Sequence, residues 1–88
     1  MQRADDLILY HFEGCVYCHR VRRALDELGV EVELRDILKN PEYMRELVVA
    51  RGMRTVPVLR IRRPQGDEWM PESKDIIAYL RKRFAKAT

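Results

Sequence analysis

The chain has 88 residues, of which 47% are hydrophobic and 35% are charged, and its formal net charge at pH 7 is +3. This length is enough for one domain but not two, and the composition excludes a disordered chain. No apolar run approaches the roughly 20 residues that cross a bilayer, and the start of the chain lacks the apolar core of a signal peptide. We therefore expect one domain over residues 1–88, located in the cytoplasm, with no membrane partner.

Positive charge is concentrated in the second half of the sequence, where residues 45–88 carry eleven basic and five acidic side chains. A basic surface can bind nucleic acid. Here, however, the basic residues near the end of the chain follow an apolar helical stripe. Basic residues in the last turn of a helix interact favourably with the helix dipole. The residues concerned are Arg81, Lys82, Arg83 and Lys86. The charge pattern therefore predicts no nucleic-acid partner.

The first half of the sequence predicts a strand, a helix and a second strand. Residues 7–12 form a short apolar run without helical period, which is typical of a buried strand. From Cys18 onward, apolar residues recur at helical spacing until a stop at Gly29. They are Val21, Ala24, Leu25 and Leu28. Residues 30–35 alternate apolar and charged side chains, which predicts a half-buried strand near a sheet edge.

A second helix is marked by its two ends. Asn40 is a good N-cap, and Pro41 suits the first helical position because its missing N–H would be unpaired there anyway. Gly52 is expected to end the helix. The predicted apolar stripe between them comprises Met44, Leu47 and Val48.

The rest of the chain predicts a hairpin and a last helix. Residues 56–61 are typical of a strand, residues 64–67 of a turn, and residues 68–70 of a short returning antiparallel strand. Ser73 is the predicted N-cap of the last helix. Its inward-facing residues are expected to be Ile76, Ile77, Leu80 and Phe84.

The order of these elements is β-α-β-α-β-β-α. A strand–helix–strand unit implies a parallel pair with a right-handed crossover, and the hairpin adds an antiparallel pair. The predicted architecture is therefore α/β, a four-stranded mixed sheet flanked by three helices. This is the minimal thioredoxin-like arrangement.

Cys15 and Cys18 are the only two cysteines, spaced Cys-x-x-Cys at the start of the first predicted helix. A small secreted protein stabilised by disulfides carries more cysteines. A Cys15–Cys18 disulfide would also close too short a loop to add much stability. The N–H groups and dipole of a helix N-terminus favour a thiolate. We therefore expect Cys15 to be the more exposed, nucleophilic sulfur, and the more buried Cys18 to resolve the mixed disulfide.

Three other functions use a cysteine pair of this kind: haem attachment, zinc binding and a purely structural disulfide. Read literally, Cys-x-x-Cys followed by His19 is a haem-attachment pattern, but that chemistry usually belongs to exported chains. A zinc site would need two further Cys or His ligands, and only His11 and His19 are present. A purely structural pair remains open. We expect no bound metal.

Three segments resemble the glutaredoxin family and the related N-terminal domains of glutathione S-transferases. The first is residues 10–18 (YHFEGCVYC), around the cysteine pair. The second is residues 54–57 (RTVP), and the third, which resembles the transferases more, is residues 72–80 (ESKDIIAYL). The resemblance implies a glutaredoxin-type fold and a glutathione-dependent thiol–disulfide oxidoreductase acting through Cys15 and Cys18.

The resemblance also implies glutathione as reductant and a set of residues that bind it. The Val56–Pro57 bond would be cis, so that the Val56 backbone pairs with the cysteinyl part of glutathione. Glu72 and Ser73, at a helix N-terminus, would bind the γ-glutamyl end, and Arg54 the glycyl carboxylate. The implied glutathione-binding residues are Tyr17, Arg54, Thr55, Val56, Pro57, Glu72 and Ser73.

The sequence departs from the glutaredoxin pattern at three places. Val16 stands where a proline commonly follows the first cysteine, Phe12 stands in place of a lysine, and residues 71–73 replace a glycine-rich segment. Two alternatives therefore stay open: a carrier of a glutathione-ligated iron–sulfur cluster, and a non-catalytic glutathione-binding module. Our first expectation is a monomeric oxidoreductase that acts on glutathionylated or disulfide-bonded proteins, without an iron–sulfur cluster.

Overall fold

A computed structural model of the chain describes residues 2–85, so Lys86, mentioned above, lies outside the described residues. The predicted order of elements is confirmed. The elements are β1 (Gln2–His11), α1 (Val16–Leu28), β2 (Val30–Asp36), α2 (Pro41–Arg51), β3 (Val58–Ile61), β4 (Glu68–Met70) and α3 (Ser73–Phe84). No helix in this described part is long and apolar enough to cross a bilayer.

The four strands form one mixed sheet in the order β2-β1-β3-β4. Strand β1 pairs parallel with β2 and antiparallel with β3, and β3 pairs antiparallel with β4. This confirms the thioredoxin-like architecture and the edge position of β2. Strand β1 starts earlier than predicted, because Gln2 and Arg3 pair with the start of β2 although their sequence has no strand-like apolar pattern.

The helix ends follow local rules, with one correction. Gly29 and Gly52 end α1 and α2 in the left-handed conformation, and the Asn40 side chain accepts the Glu42 N–H at the start of α2. Ser73, however, is the first helical residue of α3 and not its N-cap. The cap is Glu72, which makes no side-chain capping hydrogen bond.

Strand β1 is buried on both faces, and its alternate residues enter two cores. Leu7 and Leu9 pack with α1 and α3, while Ile8 and Tyr10 pack with Leu47 of α2. The predicted apolar stripes are largely confirmed, although Val48 is exposed. The predicted strand over residues 56–61 is shorter than expected, because the first two residues form a loop before β3.

The Tyr10 hydroxyl ties four elements together on the α2 side of the sheet. It donates to Glu46 of α2 at 2.8 Å and accepts hydrogen bonds from Arg35 of β2 and Arg60 of β3 at 3.3 and 3.2 Å. Burial of this ring raises the pKa of the Tyr10 hydroxyl. The network fixes β1 relative to its neighbours just before the chain reaches the cysteine pair.

Tyr10→Phe is expected to lower the free energy of unfolding by about 1–3 kcal/mol, because part-buried charged groups lose a hydrogen-bond partner. Tyr79→Phe is the matched control, since its hydroxyl accepts a bond from Arg83 at an exposed position. The control should cost about 0.5 kcal/mol or less. Urea unfolding measures both values, and equal losses would contradict a structural role for the Tyr10 network.

Candidate functional site

The cysteine pair lies where β1 leads through a short loop into α1. Cys15 is the N-cap of α1, with extended backbone dihedrals, and its Sγ accepts the N–H of Cys18 at 3.2 Å. The Cys15 N–H donates to the Phe12 carbonyl at 3.2 Å, which closes the loop. Both cysteines are free thiols. The sulfur of Cys15 therefore occupies the position at which a helix N-terminus favours negative charge.

The two sulfurs have different surroundings. Cys15 is 8% exposed and Cys18 fully buried, so the expected order of exposure is confirmed. Burial, followed by the hydrogen bond with Cys15, raises the pKa of the Cys18 thiol well above its usual range. Cys18 therefore stays a neutral thiol at pH values where an ordinary cysteine ionises.

The loop before β3 faces the start of α1. The Val56–Pro57 peptide bond is cis, which confirms the expectation drawn from the resemblance. The Cys15 Sγ lies 3.9 Å from the carbonyl oxygen of Val56. Two segments 41 residues apart in the chain thus meet at one sulfur, beside a groove that Val56 lines.

This groove has a volume of about 530 Å³ and is bounded by the start of α1, the loop before β3 and the start of α3. All but one of the residues expected to bind glutathione line this groove. The exception is Arg54, which is exposed and does not line it. Smaller grooves of about 270 and 390 Å³ lie on other faces. The lining residues are Tyr17, Arg51, Met53, Thr55, Val56, Pro57, Pro71, Glu72 and Ser73.

Three lining residues, Arg51, Met53 and Pro71, are not among those expected to bind glutathione, and Arg51 is the charged one. It is the last residue of α2, it is half-buried, and its Nε has no hydrogen-bond partner among residues 2–85. A basic residue in a last helical turn is expected for the dipole alone, so the sequence contains no separate signal for it. An unpaired guanidinium donor beside the groove is suited to bind an anionic group.

An apolar rim lies beside the cysteine. Val16 is 64% exposed, Tyr17 57% and Met53 48%. The guanidinium of Arg20 lies 5.2 Å from the centre of the Tyr17 ring and holds it at the surface. These side chains form an exposed apolar surface at the mouth of the groove.

Comparison with known proteins settles the family. The family described as "Glutathione S-transferase, N-terminal domain" matches residues 9–88. The chain belongs to this family. The match supports the transferase part of the resemblance stated above, and the fold of the family agrees with the observed sheet.

Two solved glutathione transferases resemble this family member in structure. Glutathione transferase Omega 2S from Trametes versicolor is 25% identical, with a TM-score of 0.74 over 92% of this chain and 37% of its own. The Leishmania protein TDR1, a trimeric glutathione transferase, is 28% identical, with a TM-score of 0.75 over 90% of this chain and 18% of its own. The chain therefore corresponds to well under half of either protein.

A phage protein is also similar. The Gene 56 protein of Mycobacterium phage D29 is 34% identical over 56 residues, which is 60% of this chain and 59% of that protein. The present chain thus spans less than two thirds of this relative as well.

The unequal environments predict unequal alkylation. At a pH of about 8.5, the ordinary pKa of cysteine, iodoacetamide should modify one thiol of the folded wild type quickly. Peptide mass spectrometry should locate the label on Cys15. Cys18 should react only after unfolding, because it is buried and protonated. In Cys18→Ser the fast reaction should persist, whereas fast labelling of Cys18 in folded Cys15→Ser would contradict the assignment.

Proposed function

We propose that this chain is a glutaredoxin-type oxidoreductase that binds glutathione in the groove and exchanges thiols with glutathione mixed disulfides through Cys15. The observation that carries the proposal is the position of the Cys15 Sγ. This sulfur accepts an N–H at the N-cap of α1 and lies 3.9 Å from the carbonyl oxygen of Val56, which lines the groove, although Cys15 itself is not one of the lining residues. The names of the two solved relatives, both glutathione transferases, support glutathione as the ligand.

The reaction uses the two sulfurs in turn. The Cys15 thiolate attacks the glutathione sulfur of a protein–glutathione disulfide, the S–S bond breaks, and the protein thiolate leaves and takes up a proton. Cys15 is then joined to glutathione. The thiolate of a second glutathione attacks the glutathione sulfur of this intermediate, which releases glutathione disulfide and regenerates Cys15.

Cys18 offers a second way to resolve the intermediate. Its sulfur would attack Cys15 and release glutathione, leaving a Cys15–Cys18 disulfide. Only a thiolate attacks well, and the burial of Cys18 opposes its ionisation. We therefore propose that resolution by a second glutathione is the main route.

The groove offers a partner for each end of glutathione. The Glu72 N-cap makes no side-chain capping bond, so the N–H groups of the first turn of α3 are available to the γ-glutamyl carboxylate near Ser73. The Glu72 carboxylate suits the adjacent ammonium group. The Thr55–Val56 backbone suits the cysteinyl part. Arg51, rather than Arg54, is the cation that lines the groove, and we assign it to the glycyl carboxylate.

The remaining expectations belong to this proposal. The protein substrates are glutathionylated or disulfide-bonded proteins that contact the apolar rim of Val16, Tyr17 and Met53. We further propose that residues 1–88 form a single domain, and that the protein is monomeric and located in the cytoplasm. The free cysteine pair favours redox chemistry over a non-catalytic binding module.

Cysteine variants test the reaction. Cys15→Ser should reduce deglutathionylation of a glutathionylated peptide to the uncatalysed rate, because Cys18, the other cysteine of the sequence, is fully buried. Cys18→Ser should retain about half of the activity or more, because a second glutathione resolves the intermediate. A coupled assay that follows glutathione disulfide measures both rates, and full activity in Cys15→Ser would refute the proposal.

The two arginines test the binding groove. Arg51→Leu should raise the glutathione concentration for half-maximal rate roughly ten-fold or more, because a hydrogen bond to a charged group contributes about 1.5–3 kcal/mol. Arg54→Leu is the matched control and should change it less than about two-fold, as is usual for exposed side chains. A larger effect of Arg54→Leu than of Arg51→Leu would assign the glycyl carboxylate to Arg54 instead.

A further inference from the structure

A second polar cluster lies at the carboxyl ends of the two parallel strands, outside the groove. His11 ends β1 and Asp36 ends β2, and the two residues are partners in the parallel register. Glu13 follows in the loop that leads to Cys15. One ligand atom of each side chain lies within 4.8 Å of one from each of the others. None of these three residues lines the glutathione groove.

The His11 side chain indicates that this cluster has a ligand. It is 3% exposed, and its Nδ1 is buried with no hydrogen-bond partner among residues 2–85. Leaving a buried polar atom unpaired costs about 1–3 kcal/mol, so a ring nitrogen in this position calls for a partner.

The two carboxylates are held differently. Asp36 is fixed, because its Oδ1 accepts the backbone N–H groups of Leu38 and Lys39 at 2.9 and 3.2 Å. Glu13 is exposed, and Arg22 contacts its oxygens only at 3.4 and 3.5 Å. The Glu13 side chain can therefore move toward His11 and Asp36 while giving up only its long contacts with Arg22.

We propose that His11, Glu13 and Asp36 bind a divalent transition-metal ion such as Zn²⁺, with solvent completing the coordination. Zinc binds imidazole nitrogen and carboxylate oxygen at about 2.0–2.2 Å in a tetrahedral arrangement, so two ligand atoms on one ion lie roughly 3.4 Å apart. The ligand atoms of the three side chains lie within 4.8 Å of one another. The widest pair must therefore approach by up to roughly 1.4 Å, a rearrangement to which the exposed Glu13 can contribute. Sequence spacing does not indicate this site, because Asp36 comes beside His11 only through the pairing of β1 with β2.

The charges around His11 set the strength of binding. The groups that face it are Arg22, Asp36, Glu13 and His19. The His19 ring is hydrogen-bonded to the Glu13 carbonyl, which holds the loop in place. Arg22 is the cation that competes with a metal ion for Glu13. Its removal is therefore expected to strengthen metal binding.

Thermal unfolding with and without Zn²⁺ tests the site in a tag-free Cys15→Ser/Cys18→Ala variant, which removes the cysteines as ligands. Zn²⁺ should raise the unfolding temperature, because it binds the folded chain. Asp36→Asn and Glu13→Gln should each raise the Zn²⁺ concentration for half of this effect about ten-fold or more. Glu42→Gln, at an exposed position on α2, is the matched control and should leave it unchanged.

Two results would overturn the proposal: no stabilisation in the cysteine-free variant, or stabilisation that persists unchanged in Asp36→Asn. Arg22→Gln should lower the Zn²⁺ concentration needed, and a higher one would exclude Glu13 as a ligand. Long-range ¹H–¹⁵N spectra of the wild-type chain provide a test that needs no variant. One ring nitrogen of His11 should shift on addition of Zn²⁺, and unchanged His11 nitrogens under saturating Zn²⁺ would also overturn the proposal.

Discussion

The second half of strand β1, from Leu7 to His11, is buried, and it lies between two strands and between helices on both faces of the sheet. Its alternating side chains enter a core with α1 and α3 on one face and a core with α2 on the other. Two neighbouring strands pair with its edges, and the Tyr10 hydroxyl links three further elements to it. The end of β1 is therefore a fixed point, and the loop after it delivers Cys15 to a defined position.

That position separates the two cysteines in chemistry. Cys15 caps α1, so its sulfur meets the partial positive charge of the helix N-terminus and the edge of the groove. Cys18, one turn later, lies inside the core, where charge is costly. One short motif thus places one sulfur at the helix N-terminus and buries the other completely. The difference comes from burial, because both residues belong to the same helix end.

The loop between β1 and α1 connects the groove to the His11 cluster. Cys15 contacts the loop before β3, whereas Glu13, two residues earlier, lies beside His11 and Asp36. Membership of the transferase family accounts for the sheet and the helices. It leaves the chemistry to individual side chains, and here a free cysteine pair stands at the helix start.

Local relations in this protein followed from the sequence, whereas individual contacts between distant side chains did not. The capping of α2 by Asn40, the glycine ends of α1 and α2 and the position of Cys15 at the start of α1 involve residues within four positions of each other, so residue type and spacing suffice. The presence of Arg51 rather than Arg54 in the groove, and the proximity of His11 to Glu13 and Asp36, depend on how helices and strands pack after folding. Side-chain direction at the end of α2 and register between β1 and β2 are set by the two cores, and only the tertiary structure decides them.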